Sequence, residues 1–364
     1  MSFKCKIALV GAFPYPVGQG SQVFLTESAR AYQQLGHEVH VCVYGYGAGD
    51  DPKEFAIHRA PMVPFARQIK AGPSWAKPLL DWRMISFLKE VVKKHEIDMI
   101  DAHNYEALLV ALATGIRPII YHAHNAMADE LPHYGGFGMI GGAVGAALDK
   151  HVPRRADHVV APHERLWDYL VSKGCEDDRV SVIPPGISSK PFRHEKVYSE
   201  SPCVIYSGNL DSYQNPEMLA DVMGRIGELR PNVRRIVATN DAESLPYAEV
   251  VHTPDLDALK RILEEDAVFL CPGISWSGYP IKLLDAMAAG LPVVACASSA
   301  HPVVDGETGF VVEDGNAAQM AERCAALLDD QALRRKMGAA ARLGSMEIYD
   351  QRVMIEPIIE QVLT

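Results

Sequence analysis

The stretch SGYPIKLLDAMAAGLPVVA, Ser277 to Ala295, holds three pieces of structure in one short run. A Gly-Tyr-Pro turn opens it, an apolar helix follows, and after Gly290 a Val-rich run reads as a buried strand. Lys282 stands at the start of the helix, where unpaired N–H groups and the macrodipole favour negative charge. A cation is locally unhelpful there, so the pattern points to an anion arriving from outside the chain. Helix starts bind phosphate through their free N–H groups, and Gly278 lets the backbone come close. Pro280 suits the first turn, where a missing N–H costs nothing. Asp285, three residues beyond Lys282, shares its face, and its two oxygens suit the vicinal hydroxyls of a ribose. Phosphate and ribose held at one helix start describe a nucleotide. The plainer reading, a surface helix whose lysine reaches into water, leaves the Ser277–Lys282 pattern without a cause.

Around this stretch, apolar runs rich in Val and Ile alternate with amphipathic segments. KIALVGAF, HEVHVCVY, DMIDAH, RPIIYHAH, HVVAP and RVSVIP read as strands in the first half. CVIYSGN, VRRIVATN, VVHTP, AVFLCPG, PVVACA and TGFVVE repeat the scheme in the second. Near-continuous apolar strands alternating with helices mean parallel sheets covered on both faces. The fold class is therefore α/β, with two doubly wound, Rossmann-like domains facing a cleft. The Pro-rich VIPPGISSKPF, Val182 to Phe192, joins them, which sets the domains at 1–186 and 187–345. Ligands of such sheets bind at the carboxyl ends of the strands. Ile57–Asp81 reads as the longest irregular part. The Gly/Ala-rich stretch His133–Asp157 reads as a tightly packed helix, with contact to a lipid surface as its rival reading.

The 364 residues are 48% hydrophobic and 22% charged, a globular composition long enough for two domains. No run approaches the length needed to span a bilayer, and the N-terminal apolar run reads as a first strand rather than a signal peptide. Seven scattered cysteines without a C-x-x-C fit reduced thiols and a cytoplasmic protein. Residues 1–190 balance 20 basic against 20 acidic side chains, so the net charge of −11 falls wholly on the remainder. With no basic stripe, a nucleic-acid partner is not expected.

Other polar groups gather where the strand runs end. Gly18 and Gly20 lie between the first strand and its helix, a weak phosphate-loop signal that lacks dinucleotide spacing. His122 and His124 end a strand on one side. A pair at i, i+2 could hold a metal, but no acidic or histidine cluster of ligand spacing accompanies it, so no metal is expected. Gly208 ends the first strand of the second half, and Asn209 and Gln214 project from the turn beyond it. Asp255 and Asp257 form a D-x-D that reads as a helix cap rather than a metal site.

Taken in order, these motifs resemble the retaining GT-B glycosyltransferases of family four (group 1) over nearly the whole chain. The resemblance rests on the Gly loop, His124-Asn125, VIPPGI, SGNL and above all G-x-P-x-K-L-L-D-A-M-A-A-G-L-P-V-V-A, followed by ETGFVVEDGNAAQMAERCAALLDD. It implies a metal-independent enzyme without cofactor. A nucleoside-diphosphate sugar would bind the second domain, an acceptor of unknown identity the first, and a last helix over 346–364 would return to the first domain. It also implies His124 near the transferred sugar and Lys282 at the diphosphate as catalytic groups. The donor set would comprise Gly18, Gly20, Gly208, Asn209, Gln214, Thr253, Ser277, Gly278, Tyr279, Pro280, Ile281, Lys282 and Asp285. Ser277 stands where the family usually has Glu, and Asn209 and Gln214 where it has Arg and Lys. A degenerate module that binds without turnover, or a sugar-nucleotide epimerase, is the alternative.

Overall fold

A computed structural model describes the chain apart from residues 1–3, 17–19, 48–49, 64–76, 135–137, 187–191, 193–195, 254–255, 349–350 and 364. The chain divides into two compact units. The first comprises Met1–Gly186, Ser277–Tyr279 and Asp350–Thr364; the second comprises Ile187–Trp276 and Pro280–Tyr349.

The first unit is built on seven strands: β1 (Lys6–Gly11), β2 (Glu38–Val43), β3 (Ala56–Arg59), β4 (Met99–His103), β5 (Ile119–His122), β6 (His158–Ala161) and β7 (Val180–Val182). All pair in parallel, in the order β3-β2-β1-β4-β5-β6-β7. Its helices are α1 (Gly20–Gln34), α2 (Lys77–His95), α3 (Tyr105–Thr114), α4 (Met127–Glu130), α5 (Gly138–His151) and α6 (Glu164–Ser172). The second unit carries β8 (Cys203–Ser207), β9 (Arg235–Ala238), β10 (Glu249–Val251), β11 (Ala267–Cys271), β12 (Val293–Cys296) and β13 (Gly309–Val312). These too are parallel, in the order β10-β9-β8-β11-β12-β13. Helices α7 (Pro216–Leu229), α8 (Leu256–Leu263), α9 (Ile281–Ala288), α10 (Ala317–Asp329) and α11 (Gln331–Ile348) belong to it, and α12 (Gln351–Leu363) packs on the first unit.

Each central strand is buried along its length, as β4, β8 and β11 show, because helices cover both faces of the sheet. Ile355, Ile358 and Ile359 of α12 join Leu9, Leu25, Tyr32 and Val41 in the core of the first unit. The expectation of irregular chain over Ile57–Asp81 is corrected at both ends. Ala56–Arg59 is an edge strand, only partly buried, and α2 begins at Lys77; residues 64–76 lie outside the described chain. The Gly/Ala-rich stretch forms α5, where a Cβ on Gly145 would lie 2.2 Å from the Met127 carbonyl oxygen. Small residues there do let backbones approach, while Ile140 and Val144 remain exposed. The seven cysteines are free and buried.

The helix–turn–strand of the opening stretch ends as its glycine requires. Gly290 takes φ +76°, its N–H bonds to the Met287 carbonyl at 2.9 Å, and Leu291 N–H bonds to the Ala286 carbonyl at 3.0 Å. This is a Schellman ending, which satisfies the last carbonyls of α9 and turns the chain into β12. The buried Gly290 carbonyl then meets Gly338 of α11, where a Cβ would lie 2.2 Å from that oxygen. Gly338→Ala is therefore expected to lower unfolding free energy by about 1–3 kcal/mol through overpacking. Gly344→Ala in the same helix, where a Cβ meets nothing within 4 Å, should instead raise it by about 0.4–1 kcal/mol. Urea unfolding of both variants checks the sign of each.

Candidate functional site

In the first unit, polar chemistry concentrates at the carboxyl ends of β4 and β5. The parallel register sets His103 beside His122, with Asp101 beside Ile120. Asp101 is wholly buried; its Oδ2 accepts from the Tyr32 hydroxyl at 2.5 Å and lies 3.2 Å from His122 Nε2 and 3.6 Å from His103 Nε2. Burial alone would raise its pKa, but the pull of His122 and His103 outweighs burial and holds the carboxyl well below the usual carboxylate range. His103 is pushed down to about 4 by burial and by His122, so it is neutral at pH 7.

His103 and His122 stack at 4.4 Å, and His103 Nδ1 lies 3.2 Å from His124 Nε2. Phe24 of α1 closes the group, stacked on His124 at 5.0 Å and edge-on to the other two rings. His124 itself is half-buried. Burial, then the neighbouring His103 and His122, drive its pKa well below the ordinary histidine value. It is thus a neutral imidazole that can accept or donate one hydrogen bond, and its Nδ1 has no protein partner. The cluster Asp101–His103–His122 also has metal-ligand spacing. That corrects the expectation that no acidic partner accompanies His122: the partner comes from the adjacent strand.

The tripeptide Ser277–Tyr279 groups with this unit. Ser277, expected to face the donor, is fully buried and bonded to the protein instead. Its N–H and hydroxyl both donate to Asp129 Oδ2, at 3.0 and 2.7 Å, and its Oγ accepts from the Ala126 N–H at 3.0 Å. The Ser277 carbonyl accepts from His163 Nε2 at 3.1 Å, while His163 Nδ1 caps α6 through the Leu166 N–H. The serine thus ties down the loop after His124, and the physical reason is a buried carboxylate that needs donors. Tyr279 packs its ring 6.2 Å from that of His163. Gly20 is the exposed first residue of α1, and Gly18 lies outside the described residues.

In the second unit the corresponding place is the carboxyl end of β8. Gly208 takes φ +127°, and a Cβ there would lie 3.6 Å from Lys282 Nζ. Lys282, second residue of α9 after the N-cap Pro280 and Ile281, donates to Gln214 Oε1 and sits 4.3 Å above the Tyr206 ring. Burial lowers its pKa to about 8, against a smaller raising effect of Cys271. It therefore stays mostly cationic at pH 7. The Asn209 amide donates to Asp211 and to the Tyr213 hydroxyl, both at 2.8 Å, which leaves its Oδ1 buried without a partner. Thr253 is locked to Asn240 through two backbone contacts, and Asp285 is half-buried on α9. Asp257 sits exposed in the first turn of α8, and Asp255 lies outside the described residues.

The structure thus sets Gly208 and Gln214 beside the half-buried Lys282 ammonium, while Asn209, next in the chain, is turned to Asp211 and Tyr213. Asp101, His103, Asp129 and His163 are the polar groups that sequence reasoning missed. Their one signal was position, since Asp101 and His103 close a strand run, but pairing to His122 could not be seen before the sheet order was known.

Comparison with known proteins agrees with these sheets. The family model for Glycosyltransferase Family 4 matches residues 18–190, and that for Glycosyl transferases group 1 matches residues 201–330. A D-inositol 3-phosphate glycosyltransferase of Pseudarthrobacter chlorophenolicus is 26% identical over 200 residues, 47% of this chain and 47% of the relative. The chain spans about half the length of the curated relatives it matches first. Among solved structures, sucrose-phosphate synthase from Thermosynechococcus elongatus superposes with a TM-score of 0.81 at 16% identity, covering 98% of each chain. HepE of Anabaena, solved in complex with UDP-glucose, gives 0.73 at 16% identity over 99% of each. At those identities the structural likeness is one of fold. The two family models, laid end to end over both parallel sheets, place the chain in the family-four, group 1 glycosyltransferases of GT-B fold.

Proposed function

We propose that this protein transfers a sugar from a nucleoside-diphosphate donor to an acceptor hydroxyl, with retention at the anomeric carbon and without a catalytic metal. The observation that carries the reading is Lys282. A lysine held at the start of α9, half-desolvated beside Gly208 and, among the described residues, hydrogen-bonded only to a neutral amide, is a cation placed for an incoming anion. The named complex of HepE with UDP-glucose supports a donor of this class.

In the reaction, the bond between anomeric carbon and phosphate oxygen breaks and its electron pair leaves with the diphosphate. The acceptor oxygen bonds to the same face and gives its proton to the leaving group. Preorganised donors at the developing charge lower the barrier, and here Lys282 and the free N–H groups of α9 are those donors. Asp285 would take the ribose. His124, a neutral imidazole, is assigned to a sugar hydroxyl, and Asp101 and His103 behind it fix its ring. The departures at Asn209 and Gln214 favour a module without turnover less than they favour an enzyme that relies on one cation, because Gln214 already bonds that cation.

Donor affinity should carry the signature of Lys282. As pH rises above about 8 the free lysine loses its charge, so the affinity for a nucleoside diphosphate should fall by up to about tenfold per pH unit. Lys282→Ala should weaken binding at pH 7 by about 1.5–3 kcal/mol, roughly ten- to a hundredfold, and flatten the pH profile. Calorimetric titration of both proteins between pH 7 and 9.5 measures this, and equal dissociation constants would remove the phosphate role.

Transfer to water or to an acceptor from a panel of nucleoside-diphosphate sugars, followed by proton NMR of the product, tests the reaction itself. An axial donor bond should give an axial product bond. Activity should persist in excess EDTA; loss that only manganese or magnesium restores would overturn the metal-independent reading.

A further inference from the structure

A second cluster of imidazoles lies at the β2–β3 edge of the first sheet. His40 of β2 and His58 of β3 point to one side, because His58 pairs with Cys42 and Cys42 shares the face of His40. Glu38 lies on that face too. His95 is the last residue of α2, the helix whose carboxyl end leads to the start of β4. The three rings therefore meet at the β2–β3 edge of the sheet, apart from His103, His122 and His124 at the carboxyl ends of β4 and β5. Their centroids are 4.6 to 5.1 Å apart.

We infer that His40, His58 and His95 form a binding site for a divalent d-block cation of the zinc type, separate from the sugar-transfer chemistry. One nitrogen from each ring lies within 4.8 Å of the other two. His40 Nδ1 is 2.9 Å from His58 Nε2, between nearly coplanar rings. Ligand nitrogens of a tetrahedral zinc at the usual bond length of about 2.0–2.1 Å stand about 3.3 Å apart, so the His40–His58 pair would open by a few tenths of an ångström while His95, within 4.8 Å of both, would turn inward.

The tautomers agree with this use. Glu38 Oε1 accepts from His40 Nε2 at 2.9 Å, which leaves the His40 Nδ1 lone pair facing the cluster. A carboxylate behind a ligating histidine is the usual outer partner of a metal site. His58 then donates its Nε2 proton to His40; a cation would replace that proton, which moves to His58 Nδ1 with no net release. His95 Nε2 is buried with no hydrogen-bond partner. Burial and then His40 and His95 push His58 down to about 4, and burial and then His40 lower His95. Lys94 and Lys6 add positive charge nearby, and Glu38 opposes it. His58 and His95 are partly exposed, so an ion can enter and water can complete its shell. Such an ion would join the edge strand β3 to α2.

Cobalt(II) as a spectroscopic probe, and zinc(II) in competition with it, test the site on the tag-free full chain. One cobalt per chain should bind with the visible bands of a low-coordinate nitrogen site, and zinc should bleach them. His95→Gln should weaken zinc at least tenfold, and His58→Gln with His95→Gln should abolish it while circular dichroism and melting in EDTA stay close to wild type. If wild type takes up no zinc, or if the double variant titrates like wild type, the assignment fails. An ion held at Asp101, His103 and His122 would give the second of these results.

Discussion

A carboxylate buried beyond the reach of water has to be surrounded by donors, and Asp101 shows what that demand organises. Its Oδ2 accepts from Tyr32 of α1 and draws His122 of β5 and His103 of its own strand within 3.2 and 3.6 Å, while Oδ1 has no hydrogen-bond partner among the described residues. Each of these is itself buried, so the group persists only as a set. Parallel sheets covered on both faces leave the strand ends as the one place where such polar groups can reach function. The set accordingly places His103 against His124 and gives Phe24 three rings to pack on. Removing the carboxylate would leave stacked imidazoles with no fixed tautomer, so His124 owes its orientation to a residue that touches no ligand.

Much of this was legible in the residues because fully buried strands leave continuous apolar runs. KIALVG, EVHVCV, AVFLC and VVAC are such runs, and each is a strand. AIHR is not, since an edge strand is covered on fewer sides and needs less apolar surface; it was read as irregular chain. Local reading also explains how the helix start around Lys282 stood out, while the fate of Ser277 did not. The serine's partner Asp129 lies 148 residues away in sequence, and no spacing rule connects them. The same holds for Asp101 with His122 and for His40 with His58, which meet only through strand pairing.

Lys282 and Gln214 are the instructive intermediate case. The sequence pattern assigns both to one ligand, and the structure sets them in direct contact. A cation in water there would be a weaker partner for phosphate, because water would have to be stripped from it during binding. Partial burial has already removed some of that water, at a cost visible in the fall of the pKa from 10.5 to about 8, at most roughly 3 kcal/mol. By sign, that cost weighs on the folded state below pH 8 and is relieved as pH rises from 8 to 10.5. The Gln214 oxygen and the Tyr206 ring offset part of it without supplying a countercharge. A neighbouring carboxylate would have offset more, and would also have competed with the phosphate.

The neutral residues at 209 and 214 follow from the same balance. A second cation at 214 would sit within hydrogen-bond distance of Lys282 and push its pKa lower still, so that neither ammonium would be fully charged in the free protein. An amide avoids this repulsion and holds the lysine in place for the anion. On the proposed function, affinity would depend on one charge already partly desolvated rather than on two that repel each other until a diphosphate separates them. Sites of the second kind bind through charge number; a site of the proposed kind would bind through preorganisation, with the oxygen of Gln214 holding the lysine.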